Sequence, residues 1–319
     1  MVMSNLIKGL HHVTALAGNS QKNLDFYSGF LGLRFVKKTI NFDAPDVYHL
    51  YYGDEKGSPG TILTFFPIPG IPRGRKGKGQ QTVTSFSIPE NSLDYWIRRF
   101  EKYKIPYDKP QQRLEGEAYI YFEDHEGLGL ELVAGNSDDR KGFTYGYIPL
   151  EHAIRGFYGI TLTEEGYEKT AALLTEMDHN LVSEKGNRFR FSTSGKPGSF
   201  VDIVCIPDSM RGLSGSGTVH HVAFATPDDV TQLEARQKII SHGISVTPVI
   251  DRQYFHSIYF REPGGVLFEV ATSDIGFELD EPADRLGENL KLPPWEEPGR
   301  PEIEKGLEPI QLNHEVYRD

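Results

Sequence analysis

Three side chains in this sequence are of the types that hold a metal, and each sits where a strand could aim it at a common point. His12 lies in Gly9-Leu-His-His-Val-Thr near the start of the chain. His221 lies in Gly217-Thr-Val-His-His-Val-Ala-Phe, which repeats that pattern, and Glu269 lies in Glu262-Pro-Gly-Gly-Val-Leu-Phe-Glu-Val-Ala-Thr. Two imidazoles and one carboxylate that leave coordination positions open form the facial set used by non-haem Fe(II) oxygenases. Taken singly, a strand histidine more often serves packing and a strand glutamate more often faces water. Glu269, however, sits where both alternate sets of its strand are apolar, and a buried carboxylate without a partner is costly. Three such exceptions together favour a metal.

The elements that must carry these residues form a fourfold repeat of strand, helix and three-strand meander. The first unit reads as a strand at about 9–16, a helix from Asn19 or Ser20 through Phe30 that stops at Gly32, and strands at 34–42, 47–52 and 60–66. The second begins at Thr82, continues with a helix over 92–103 and closes with strands at 118–123 and 129–134. The third has a strand from Arg155, a helix at about 165–177, and strands at 187–192 and 200–206. The fourth starts at Thr218, has a helix between Pro227 and Gly243, and ends at Thr272. An α+β fold follows, with four βαβββ modules closing two cupped, barrel-like sheets. The halves divide near Gly135 to Pro149: residues 8–135 hold units one and two, 150–274 hold units three and four, and 275–319 form an irregular, Pro- and Glu-rich C-terminal arm.

Strand side chains alternate, so one histidine of each pair should face the cup. Overlay on Thr84–Ile88 of the second unit makes His12 and His221 the inward members, with His11 and His220 facing away or beside the site. Overlay of the last strands by their turns sets Phe65 and Glu131 opposite Glu269, with Ile203 in the third unit, or Asp202 if the register slips by one. The first-strand slot then holds His12, Val83, Tyr158 and His221. Only the pairing of unit one with unit four collects two imidazoles and a carboxylate, so those units are predicted to share one barrel and units two and three the other. A hairpin symmetric about Gly264 places Tyr259 directly across from Glu269. Thr14 shares the face of His12, and Arg252 lies on the approach to the same strand, where it could hold an anionic oxygen.

Composition narrows the classes. The chain has 319 residues, 38% hydrophobic and 25% charged, which suits an ordinary globular protein large enough for two domains. Its net charge of −11 argues against nucleic acid or an anionic membrane as partner. The one basic cluster, Arg73 to Lys78, reads as a solvated Gly-rich loop. The absence of a signal-like start or a run of roughly 18 apolar residues gives a cytoplasmic expectation. The single cysteine, Cys205, reads as a buried inert thiol.

The motifs together resemble the vicinal oxygen chelate superfamily, and within it the ring-cleaving dioxygenases that open para-hydroquinones. The resemblance spans roughly residues 8 to 290 and includes Arg34-Phe-Val-Lys-Lys-Thr, Tyr48-His-Leu-Tyr and Glu151-His-Ala-Ile-Arg-Gly-Phe as well as the three ligand motifs. It implies Fe(II), ahead of Mn(II) or Zn(II), held by His12, His221 and Glu269, with Thr14, His220, Arg252 and Tyr259 around the substrate. The implied partners are a small aromatic diol, of hydroquinone or catechol type, and O2, and a homo-oligomer is left open. The implied role is quinone or aromatic detoxification or degradation. Two rivals remain at this stage: a glyoxalase-like lyase or isomerase, which would want a fourth protein ligand, and a metal-free protein that binds an aromatic compound.

Overall fold

The structure is a computed structural model that describes residues 6–143 and 147–318, so part of the expected linker, 144–146, lies outside the described residues. The first unit comprises β1 (Leu10–Ala17), α1 (Ser20–Leu24), which runs straight into a π-helical turn (Asp25–Phe30), β2 (Arg34–Asn41), β3 (Ala44–Gly53) and β4 (Ile62–Pro67). The second comprises β5 (Gln80–Pro89), α2 (Leu93–Tyr103), β6 (Gln111–Arg113), β7 (Glu117–Glu123) and β8 (Gly129–Gly135). The third comprises β9 (Gly156–Glu164), α3 (Glu168–Glu176), β10 (Asn180–Lys185), β11 (Arg188–Ser192) and β12 (Phe200–Cys205). The fourth comprises β13 (Thr218–Thr226), α4 (Asp229–Ser241), β14 (Ile250–Asp251), β15 (His256–Arg261) and β16 (Leu267–Thr272). Two of the strands the sequence reading omits, β6 and β10, are short and polar. All of β10 but Ser183 is exposed, so no apolar alternation announces it.

One eight-stranded sheet runs β14-β15-β16-β13-β1-β4-β3-β2 and the other β10-β11-β12-β9-β5-β8-β7-β6. Units one and four therefore share a sheet, as do units two and three, and each sheet draws on both halves of the chain. At the centre of the first, β1 lies antiparallel to β13, Val13 opposite Val222, with one bulge after Leu10 and another after Thr14. A two-fold axis through Val13 and Val222 consequently exchanges His12 with His221 and His11 with His220. The second sheet repeats this with β5 and β9, Thr84 opposite Ile160 and bulges at the matching places. All of β1 is buried, because one face lies under α1 and the other lines the cup.

This register corrects three sequence assignments. Thr14 pairs with Thr64 in parallel, just as Ala223 pairs with Glu269, so Thr64 and not Phe65 occupies the Glu269 slot in the first unit. Phe65 faces the helical layer, its ring centroid 4.4 Å from that of Tyr27. In the third unit Thr161 pairs with Asp202, which makes Asp202 rather than Ile203 the counterpart of Glu269. Gly159 is then the counterpart of His221, and Tyr158 that of His220.

The C-terminal arm closes over the first unit. Leu290 bridges to Lys38 on the edge strand β2, the Tyr48 hydroxyl donates to Glu308 O, and Gln21 exchanges hydrogen bonds with Gln311. Edge strands left bare invite pairing with another chain, and the arm covers this one. Its firmest anchor is Lys37, fully buried, whose Nζ lies 2.6 Å from both Asp280 Oδ1 and Glu281 Oε2. The Arg73 to Lys78 loop is strapped to 211–216 by isolated bridges instead of standing free in solvent. Glycine is required there: a Cβ on Gly77 would come within 2.3 Å of Met210 O. Cys205 is half-buried rather than enclosed, and partial burial with Glu164 and Glu168 nearby raises its thiol, so it stays protonated.

A carboxylate pair ties units three and four, and with them the two sheets, together. Thr170 Oγ1 on α3 lies 2.7 Å from Glu164 Oε2 and 2.6 Å from Glu262 Oε2. One hydroxyl hydrogen cannot serve both contacts, so a carboxyl must carry a proton. Glu262 already accepts the Gly264 and Val266 amides, which leaves the proton to Glu164. Burial, then the neighbouring Glu262, push Glu164 up to about 8. A carboxyl raised in this way holds its proton more tightly folded than unfolded. Its stabilisation is therefore complete below the ordinary glutamate range and is lost as pH rises towards about 8. Glu164→Gln, which keeps a donor for Thr170 and cannot ionise, is expected to flatten the fall in stability across that window, by up to roughly 1.4 kcal/mol per pH unit. Denaturant unfolding at several pH values measures it, and parallel curves for parent and variant would refute the shared proton.

Candidate metal centre

The two predicted histidines and the glutamate meet. His12 Nε2 and His221 Nε2 are 3.2 Å apart, and Glu269 Oε2 is 3.3 Å from the first and 3.0 Å from the second. All three residues are buried, and among the described residues this is the set with the geometry to hold a metal. Their elements explain the meeting: β1 and β13 are neighbours, and β16 lies beside β13.

Hydrogen bonding fixes which nitrogen of a neutral His12 ring carries the hydrogen. His11 Nε2 lies 3.1 Å from the Thr272 carbonyl, which can only accept, so that nitrogen carries a hydrogen. Burial, then His12, lower the His11 pKa to about 3, so its ring is neutral and its Nδ1 is a bare acceptor. The hydrogen between His11 Nδ1 and His12 Nδ1, 2.9 Å apart, therefore belongs to His12. The Nε2 of His12 is left as a lone pair aimed at Glu269 and His221. Such outer hydrogen bonds are how proteins set the tautomer of a metal-binding imidazole. His11 reaches this place because it is a bulge residue, and a bulge re-aims a side chain that strict alternation would send to the other face.

His221 has the matching arrangement with one difference. Its Nδ1 is 2.7 Å from the Nδ1 of His220, also a bulge residue, but His220 opens to a cavity instead of ending on a carbonyl. Desolvation of the ring, then like charge from His221 and Arg261, lower the His220 pKa to about 4, although the side chain is exposed at the cavity. Burial lowers His221 too, against the pull of Glu269. For Glu269, burial alone would raise the carboxyl; positive charge on the two imidazoles holds it well below the usual carboxylate range, and where those rings are neutral a bound cation would take that part. Ser257 donates to its Oε1, while its Oε2 accepts no hydrogen bond.

A buried anionic oxygen without a hydrogen-bond donor, facing a nitrogen lone pair, is unstable as it stands and fits a cation. Two ligand atoms each about 2.1 Å from one ion and at right angles to one another are about 3.0 Å apart, close to the separations found here. The donor set therefore suits a divalent metal bound through two neutral imidazoles and one carboxylate. The corresponding place in the other sheet is filled differently. Asp202 is paired with Arg190 and Arg188, and Glu131 with Arg113. Guanidinium groups stand there where a metal would otherwise be needed.

A cavity of about 600 Å³ opens over His12 and His221. Its walls include His49, Tyr51, Phe66, Phe255, Arg252 and Tyr259, so a flat aromatic molecule would find rings on several sides. Tyr259 stands across from Glu269 as expected, its ring centroid 5.8 Å from that of His221. Burial, then Glu269, raise its phenol well above the ordinary range, so it keeps its hydrogen. Arg252 Nε donates to the Tyr259 oxygen at 3.1 Å, and its Nη2 is 3.1 Å from Asp43 Oδ2. Thr14 faces the cup, with its hydroxyl 2.8 Å from that of Thr64. A roomier cavity of about 730 Å³ near Phe26, Tyr107 and Tyr317 has no comparable set of ligand atoms, so the chemistry is assigned to the smaller one.

Sequence reasoning left His11 undecided between facing away and sitting beside the site, and it missed several other supporting residues. Ser257 is two residues before Tyr259 and could have been found by the same alternation. His11 required knowledge of the bulge. His49 and Thr64 form a chain with Tyr51 and Thr14: the Tyr51 hydroxyl is 2.8 Å from His49 Nδ1, and His49 Nε2 is 2.8 Å from Thr64 Oγ1. Only the true register of β4 reveals it. Tyr254, beside Phe255 in the cavity wall, donates to Asp280, so the arm's anchor also braces the site.

Comparison with known proteins agrees with this geometry. The glyoxalase/bleomycin resistance protein/dioxygenase superfamily model matches residues 9–132 and 152–270. A Bacillus subtilis protein named "Putative ring-cleaving dioxygenase MhqO" is 45% identical over 97% of this chain and 99% of its own length. The chlorohydroquinone/hydroquinone 1,2-dioxygenase of Sphingobium indicum is 34% identical over 92% of this chain and 94% of its own. A crystal structure of a Bacillus subtilis dioxygenase-type protein, 45% identical, superposes with a TM-score of 0.92 over 96% of this chain and 98% of that one. Maize glyoxalase I, at 13% identity and a TM-score of 0.61 over 83% of this chain and 92% of that one, shares the fold. With two thirds and more of the chain matched by the family model, and with relatives similar along nearly its whole length, the protein belongs to the glyoxalase/bleomycin resistance protein/dioxygenase superfamily.

Proposed function

We propose that the protein is an Fe(II)-dependent dioxygenase that opens the ring of a hydroquinone-type aromatic diol, with His12, His221 and Glu269 as the metal ligands. The observation that carries this reading is the three-residue set itself, its Glu269 Oε2 without a hydrogen-bond donor, beside an aromatic-walled cavity that His12 and His221 line. Its relatives named for ring cleavage and for hydroquinone support the substrate class. When bound, the metal supplies a redox-active Lewis-acidic centre through which an electron-rich ring and O2 react.

The chain's own residues bind, orient and move protons. The rings of Phe255 and Phe66 confine the substrate ring, and Arg252 offers a fixed positive charge to an oxygen that becomes anionic. Arg252 uses a lone pair of the Tyr259 oxygen, so the phenol hydrogen remains available to an acceptor in the cavity. The tautomer that leaves His221 Nε2 bare requires His221 Nδ1 to donate to His220 Nδ1. His220 then carries its hydrogen on Nε2 and can donate a hydrogen bond from it. Tyr259→Phe is expected to lower turnover by roughly 10²-fold or more while leaving metal content unchanged. Steady-state O2 uptake beside metal analysis checks this, and unchanged turnover would remove Tyr259 from proton transfer.

The reading as a whole is tested by anaerobic purification, metal analysis and O2 uptake with hydroquinone, methylhydroquinone and catechol. One O2 consumed per hydroquinone by the iron-loaded protein is the expected result. Zinc or nickel without O2 uptake would favour a lyase or isomerase, and tight aromatic binding without metal would favour a binding protein.

A further inference from the structure

The two-fold axis at the centre of the first sheet has one asymmetric consequence. It exchanges His12 with His221, and it should therefore exchange Glu269 with a second ligand on the other side of the cation. Thr64 stands at that place, since β4 lies beside β1 as β16 lies beside β13 and in the same register. Resting on the proposed metal site, we infer that Thr64 is the specificity-determining residue that keeps a coordination position open, and that His49 and Thr14 hold its hydroxyl out of coordination. A lyase or isomerase of this fold would need the position closed by a fourth protein ligand, whereas a reaction with O2 needs it free.

The contacts support this role. Thr64 is fully buried, and its Oγ1 lies 2.8 Å from His49 Nε2 and 2.8 Å from Thr14 Oγ1. The Tyr51 phenol is raised by burial, then by Tyr259 and Glu269, and keeps its hydrogen, which it gives to His49 Nδ1. Burial likewise lowers His49 well below the ordinary histidine value, so the ring is neutral and its one hydrogen sits on Nε2. That hydrogen goes to Thr64, whose own goes on to Thr14. The hydroxyl at the fourth position is thereby committed on both sides. It is also two bonds shorter in reach than a glutamate, so the ion would remain beyond it. Tilted packing of His49 against Tyr51 and Phe66, with centroids 4.0 and 4.4 Å apart, keeps the imidazole from following a different partner.

Thr64→Glu supplies a carboxylate at the dyad-related place, and its effect is read from metal retention as well as from activity. The variant is expected to lose Fe(II) or Mn(II) to a chelator at least about tenfold more slowly than the parent, because ligand charge count sets affinity. Metal should raise its Tm by more than it raises that of the parent, because the added carboxylate is buried and unpaired without the ion. Hydroquinone-dependent O2 uptake should fall by at least about 100-fold, since the position it uses is taken. Thr64→Val, with no ligand atom, should retain metal as the parent does. If the glutamate variant folds only with metal present, that outcome also supports the inference, and Thr64→Gln, neutral and of the same length, provides the retention measurement. Parental chelator rates and parental metal-induced Tm shifts in both longer variants would overturn it, as would full O2 uptake in Thr64→Glu. Should the parent hold metal but consume no O2, the dioxygenase reading fails while the retention and Tm measurements still decide the role of Thr64.

Discussion

Replacing Glu269 by Gln is expected to abolish metal binding at stoichiometric concentrations and to reduce turnover by 10³-fold or more. The carboxylate is the sole anion among the three ligand residues, and it alone offsets part of the charge of a divalent ion in a site closed to bulk water. A glutamine keeps the size and still accepts from Ser257, so the loss can be assigned to charge and not to shape. The substitution has a second signature. Without metal, Glu269 is a buried carboxylate whose Oε2 has no hydrogen-bond donor, so its neutral isostere should make the metal-free protein equally or more stable. Metal analysis together with thermal unfolding of the metal-free proteins checks both halves. A variant that binds iron as the parent does, or that is several kcal/mol less stable when metal-free, would mean that Glu269 serves structure.

Lys37→Met is expected to destabilise the fold by about 3–5 kcal/mol. The ammonium is fully buried on β2 between Asp280 and Glu281, and Glu281 is itself buried and also accepts from the Gly287 and Asn289 amides. Removing the cation strands the buried Glu281 carboxylate and leaves the half-buried Asp280 without its partner, which costs more than the pair contributes. The effect should extend to the site, because Asp280 also accepts from Tyr254, whose neighbour Phe255 packs 5.0 Å from the His12 ring. Partial release of the arm before global unfolding is the expected pattern. Denaturant unfolding by two probes, one of them limited proteolysis of 275–319, measures it, and coincident curves with a loss below about 1 kcal/mol would show the clasp to be dispensable.

Much of this was legible in the sequence, and the gaps have identifiable causes. The ligands were legible because a glutamate between Phe268 and Val270 and paired histidines in apolar strands break the ordinary pattern of burial. The pairing of unit one with unit four followed from counting which combination collects the ligands, and the sheet order bears it out. The opposition of Tyr259 and Glu269 followed from hairpin symmetry. The register of β4 was not legible, because aligning turns assumed loops of equal length. Between the aligned Pro-Gly pair and the slot the fourth unit has one residue more, where Gly265 adopts φ +111° and Glu262 caps the loop through the Val266 amide. The single-residue error moved the fourth-ligand slot from Thr64 to Phe65 and hid the chain through His49. Bulges were equally silent, and they decide why both histidines of each pair reach the site. The path of the arm could not be read either, since it is set by long-range partners such as Lys37 and Tyr48 and not by any local periodicity.

The most direct measurement is anomalous diffraction at the iron edge from crystals grown anaerobically with Fe(II). The expected result is one strong peak per chain, about 2.1–2.3 Å from His12 Nε2, His221 Nε2 and Glu269 Oε2, with no protein atom of Thr64 in coordination. A peak at another place, such as the Glu164 and Glu262 pair, or no peak from protein that consumes O2 with hydroquinone, would contradict the site.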